Sequence, residues 1–159
     1  MKITKIGYKN QKVTVEGETE QNGEVIITSL TSDIPPLPEF AETLVKIGEY
    51  MTKLTGMPDE WSKSTKCYSI TIGHEEDERI NAIVTLYTQL ENFNSGVCIN
   101  TPVLREKLQG TAGGGKFMPE NMLTLVREMI EQAQRYYDGE RSQQELPVDQ
   151  NDDQEELSV

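Results

Sequence analysis

From Phe40 to Leu54 apolar residues return after four, three, four and three positions (Phe40, Leu44, Ile47, Met51, Leu54), and Ala41, Val45 and Gly48 widen the stripe. That period predicts an amphipathic helix in the segment Pro36 to Gly56. Pro38 suits a first turn, where its missing N–H goes unused; Glu39 and Glu42 complement the positive helix end, and Gly56 supplies the left-handed stop. Burying the five stripe residues is worth roughly 1.5–3 kcal/mol each, so this helix must lie on another apolar surface. A second helix is predicted from Pro119 to Gly139. Its stripe is Met122, Val126, Met129, Ala133 and Tyr137, widened by Leu125, Ile130 and Tyr136.

Elsewhere the period shortens to two. KITKIGY, QKVTVEGE and EVIITSL read as three strands, joined by turns at Lys9-Asn10 and Gln21-Asn22-Gly23. The prolines of TSDIPPLP end the pairing and hand the chain to the first helix. TKCYSITIG alternates Cys67, Ser69 and Thr71 against Tyr68, Ile70 and Ile72, as a half-buried strand does. RINAIVTLYTQL, residues 79–90, is ambiguous, because Ile80, Ile83, Val84 and Tyr87 also mark a helical face. Its crowding of Ile, Val, Thr and Tyr, with a turn at Asn94-Ser95-Gly96, favours a strand paired with GVCINT. Thr101 and Pro102 then open a short helical piece, PVLREKLQ, with Thr101 as its N-cap.

The resulting order, βββα-βββ-α, predicts an α+β fold: an antiparallel sheet of about six strands with both long helices on one face. Residues 1–139 read as one domain. Residues 140–159 are too poor in apolar side chains to fold alone and read as a disordered acidic tail. Unprotected sheet edges make a homodimer a reasonable expectation.

Composition narrows the functional classes. The 159 residues carry 27 acids and 15 bases, a net charge of −12. Seven acids stand against Arg141 alone between Glu140 and Val159, a charge of −6, leaving −6 on residues 1–139. Such a surface repels phosphate backbones, so direct nucleic-acid binding is disfavoured and a basic protein partner is favoured. No apolar run is long enough to span a membrane, and the N-terminus lacks the apolar block of a signal peptide. Two cysteines, Cys67 and Cys98, suggest reduced thiols in an intracellular protein.

Candidate chemistry is sparse. Gly110 to Lys116 fits the spacing of a phosphate-binding loop. Phe117, however, replaces the Ser or Thr that holds Mg²⁺, and a helical piece rather than a strand precedes the loop. A connector is the better reading, with a weaker anion site at Gly113, Gly114, Gly115 and Lys116 kept open. His74-Glu75-Glu76-Asp77-Glu78 lacks the spaced ligands of a metal loop and reads as a solvated turn. Cys67 and Cys98 sit inside apolar strands and read as inert thiols. No catalytic set, metal site or cofactor is expected. Trp61 on a connector, the Tyr136-Tyr137 pair, and the tail acids Asp152, Asp153, Glu155 and Glu156 are the candidate partner contacts.

The opening KITKIGYKNQKVTVEGE, the helix entry PPLPEFAETL, the step INTP at 99–102 and YYDGERSQ at 136–143 together carry a resemblance. In their texture and order they resemble an uncharacterised family of small proteins from tailed phages and prophages of Gram-positive bacteria. The resemblance implies a cytoplasmic accessory role in the infected host, beside recombination and replication genes, and brings no functional residues with it. The first functional reading is a non-enzymatic accessory protein that binds a phage or host protein. The second is a module sequestering a small anion or nucleotide signal at the glycine loop; a nucleotide-processing enzyme ranks last.

Overall fold

The computed structural model describes residues 1–108 and 117–142. Three strands open the chain: β1 (Lys2–Lys9), β2 (Lys12–Gln21) and β3 (Glu24–Ser32). Both connections are two-residue turns. Asn10 and Gln11 have φ of 51° and 62°, and Asn22 and Gly23 have 53° and 78°. Consecutive positive φ values match the right-handed twist of the strands they join, which is why an Asn-Gly pair sits at the second turn. The first turn falls one residue later than Lys9-Asn10. Helix α1 (Pro38–Leu54) follows, then β4 (Thr65–His74), β5 (Ile80–Gln89), β6 (Gly96–Asn100), β7 (Leu104–Arg105) and helix α2 (Glu120–Tyr137). The fold is α+β.

All strand pairs are antiparallel, in the order β3-β2-β1-β4-β5-β6, with β7 added beside β5. Within segment 79–90 the chain forms strand β5 (Ile80–Gln89), not a helix. Its alternate residues Ile80, Ala82, Val84, Leu86 and Thr88 are buried, a period of two that no helix produces. One buried cluster joins these side chains to Ile6, Val13, Val15 and Ile70 of the sheet, to Phe40, Leu44, Ile47 and Met51 of α1, and to Met122, Val126, Met129 and Ala133 of α2. Both helices therefore cover the same face, lying closest to β4, β1 and β2.

The inward face of α1 is rotated from the one its apolar residues suggest. Val45 and Leu54 are exposed, while Thr43, Gly48 and Thr52 are buried. The threonines enter the core without penalty because each hydroxyl donates to the carbonyl four residues earlier, Thr43 to Glu39 and Thr52 to Gly48, both at 2.8 Å. Gly48 is there for space: a Cβ on it would lie 3.2 Å from the backbone nitrogen of Cys67, so α1 rests almost directly on β4.

Across 102–108, the described part of the segment, the helix expected over residues 102–109 does not form. The hydroxyl of Thr101, instead of capping a helix, accepts the N–H of Val84 at 3.0 Å. Leu104 and Arg105 pair with Ala82 and Asn81, and the Glu106 carboxylate accepts from Ile80 N at 2.9 Å and from Arg127 at 2.7 Å. Of the segment's apolar residues only Leu104 is buried; Val103 and Leu108 stay exposed, too little for a helix to bury.

The chain beyond Gly139 stays on the body through Ser142. Ser142 N donates to Pro35 O at 3.0 Å, Arg141 pairs with Pro36, and the Tyr136 hydroxyl donates to Ile34 O at 2.6 Å. The proline-rich crossover into α1 is thus clamped by the end of α2. No helix among the described residues is long and apolar enough to cross a membrane.

Candidate functional site

Of the sequence-predicted contacts, Trp61 is half-buried. It ends a 3-10 turn, Asp59–Trp61, and lines a shallow cleft of about 490 Å³ with Gln89, Leu90 and the exposed Phe93. Its carbonyl accepts the hydroxyls of Ser64 and Thr65 at 3.2 and 2.7 Å, which fixes the turn against the start of β4.

Tyr136 belongs to the core, which removes it as a partner contact. It is 1% exposed, its ring packs 5.9 Å from that of Phe40, and the Arg141 guanidinium covers it at 4.4 Å. Tyr137 is half-buried against the same cluster. Gly113, Gly114, Gly115 and Lys116, and the tail acids Asp152, Asp153, Glu155 and Glu156, lie outside the described residues.

The two thiols stand on opposite faces of the sheet. Cys67 pairs with Leu86 on the helix side, Cys98 with Tyr87 on the other, and both are free. Burial pushes the Cys67 thiol up to about 12, with a backbone hydrogen bond of Ser69 pulling the other way, so it is no nucleophile near neutral pH. Cys98 is exposed.

The charged turn after β4 is tied to the neighbouring strands β1, β5 and β7 as well as to itself. His74 Nε2 donates to Ile3 O at 2.6 Å, Glu75 accepts from Asn81 and Arg105, and Asp77 accepts from Arg79 at 2.7 Å. Among the described residues no three His, Cys, Asp or Glu side chains converge as a metal site would require.

Two features were not singled out from the sequence. The first is β3 as an open edge of the sheet. Val25 and Ile27, on the face away from the helices, are 64% and 71% exposed, and Ile26 on the opposite face is exposed as well. Nine residues long, β3 pairs with β2 without a bulge, holds no proline or lysine, and carries one charge, Glu24, at its start. Those are the usual defences of an edge strand, and β3 has almost none. The second feature is a row on the uncovered sheet face. A bulge between Cys67 and Ser69 turns Tyr68 outward, where it stacks on Tyr87 at 4.7 Å with the rings 5° from parallel. Lys9 Nζ lies 5.6 Å from the Tyr68 ring, and the Tyr87 hydroxyl accepts Gly96 N–H at 2.7 Å.

No family model matches the chain, and neither a curated protein nor a solved structure does.

Proposed function

We propose that the protein works without catalysis, as an accessory protein that binds another protein by accepting one of its strands along β3. The observation behind this is an undefended edge that exposes Val25, Ile26 and Ile27. Exposed apolar side chains gathered in one place favour an interaction surface over chance. In strand addition the free backbone N–H and C=O groups give affinity, and alternate side chains give specificity. Glu18 and Glu20 lie beside Ile27 and Val25 on the same face, so the fitting strand is apolar with Lys or Arg among its residues. The resemblance to phage and prophage proteins supplies the setting: the host cytoplasm, with a phage recombination or replication protein or a host factor as the partner.

The test uses the full-length tagged chain and a Val25→Lys/Ile27→Lys variant in Gram-positive cells, with retained proteins identified by mass spectrometry. The expected result is one protein held in near-stoichiometric amount by the natural chain and lost by the variant. A synthetic peptide from an extended segment of that protein is then expected to bind the natural chain alone. Equal retention by both chains, or retention by neither, overturns the proposal. Retention of a second copy of the chain would make β3 a homodimer seam and overturn the accessory reading.

A further inference from the structure

The β1–β2 turn, the middle of α1 and the start of β4 enclose a cleft of about 580 Å³. That volume lies within the range of small-molecule sites. Its apolar wall is Ala41, Leu44 and Val45, and around it stand Lys9, Lys63 and Lys66 against one carboxylate, Glu49. The local balance is therefore cationic in a chain whose net charge is −12.

The arginines are already engaged. Arg79, Arg105, Arg127 and Arg135 pair with Asp77, Glu75, Glu106 and Glu140, and Arg141 covers Tyr136. Among the described residues the three cleft lysines have no carboxylate within ion-pair distance. Lys9 rests over the Tyr68 ring, which also lines the cleft. Unpaired cations beside a low-dielectric wall focus their field into the cleft and raise the local concentration of anions. A bare inorganic anion would leave the apolar wall unused, and a neutral apolar molecule would leave the lysines unused.

We propose that this cleft binds a small organic anion, a phosphate or carboxylate on an aromatic body of mononucleotide size. The site is distinct from the strand-addition edge on β3 and independent of it. Lys9 at the end of β1, Lys66 at the start of β4 and Lys63 just before it line the same cleft as Leu44 and Val45, so the anionic group sits among the lysines with the ring against that wall.

The probe is 8-anilinonaphthalene-1-sulfonate, an aromatic anion, titrated by fluorescence into three proteins. These are the full-length chain, a Lys9→Glu/Lys63→Glu/Lys66→Glu variant, and a charge-matched Lys2→Glu/Lys53→Glu/Lys107→Glu control. The expected result is saturable one-site binding, weakened by about tenfold or more in the cleft variant and by less than about twofold in the control. Circular dichroism verifies that all three are folded. Adenosine monophosphate or 1-naphthoate is then expected to displace the probe, the first identifying a phosphate and the second a carboxylate ligand, while adenosine is not. Absent or unsaturable binding overturns the proposal. So does equal weakening in both variants, displacement by neither anion, or equal displacement by adenosine.

Discussion

Replacing Tyr136 by phenylalanine removes one oxygen and tests how the end of α2 holds the entry to α1. The hydroxyl donates to Ile34 O at 2.6 Å from a side chain that is 1% exposed. A net hydrogen bond contributes about 0.5–1.5 kcal/mol, and an orphaned buried acceptor costs about 1–3 kcal/mol. Ile34 is only half-buried, so water can reach its carbonyl and the low end applies: about 1–2 kcal/mol. For a chain of this size each kcal/mol lowers Tm by about 2–4 °C, a shift that a circular-dichroism melt resolves. Tyr136→Ala also removes the ring that packs on Phe40 and lies under Arg141, and is expected to cost about 3–5 kcal/mol. An unchanged Tm for Tyr136→Phe would refute the clamp. An alanine variant no less stable than the phenylalanine one would refute the placement of the ring in the core.

Three further outcomes follow from the packing. Cys98 is expected to react at once with an aromatic disulfide at pH 8 and Cys67 only after unfolding, because burial holds the Cys67 thiol at about 12; two fast thiols in the folded protein would contradict this. Gly48→Val is expected to cost about 1–3 kcal/mol by urea denaturation, since a Cβ there already lies 3.2 Å from Cys67 N; an unchanged midpoint would show that α1 stands further from β4. Ile27→Lys, at a position 71% exposed, is expected to change stability by no more than about 0.5 kcal/mol; a larger loss would mean that Ile27 is packed within the fold.

Much of the fold was legible because it rests on local periodicity. The alternation in 79–90 and the stripes of both long helices carry their own geometry, and Asn22-Gly23 announces its turn. The failures have non-local causes. Residues 102–108 form no helix because Thr101, Leu104 and Glu106 are taken up by cross-strand bonds to Val84, Ala82 and Ile80, which are distant in sequence. Thr43 and Thr52 face inward because hydroxyl-to-carbonyl bonds within α1 make them compatible with the core, which a hydropathy pattern cannot express.

The candidate sites were less legible than the fold. Val25, Ile26 and Ile27 have the composition of a buried strand; Val25 and Ile27 stay exposed because they face away from the helices, and Ile26 because the helices lie over β4, β1 and β2. Lys9 and Lys66 are remote in sequence, and only the pairing of β1 with β4 brings them to one cleft. Tyr136 looked like a surface aromatic near a helix end, but its hydroxyl finds Ile34 across the crossover.

The central claim, a partner strand on β3, is tested most directly by placing a photo-crosslinking phenylalanine analogue at position 27 and, as a control, at position 46 on the exposed side of α1. On irradiation in Gram-positive cells expressing the chain, position 27 is expected to yield one dominant adduct mapping to an extended segment of a different protein, with no such adduct from position 46. The absence of an adduct at position 27, or the same adducts from both positions, would contradict the account.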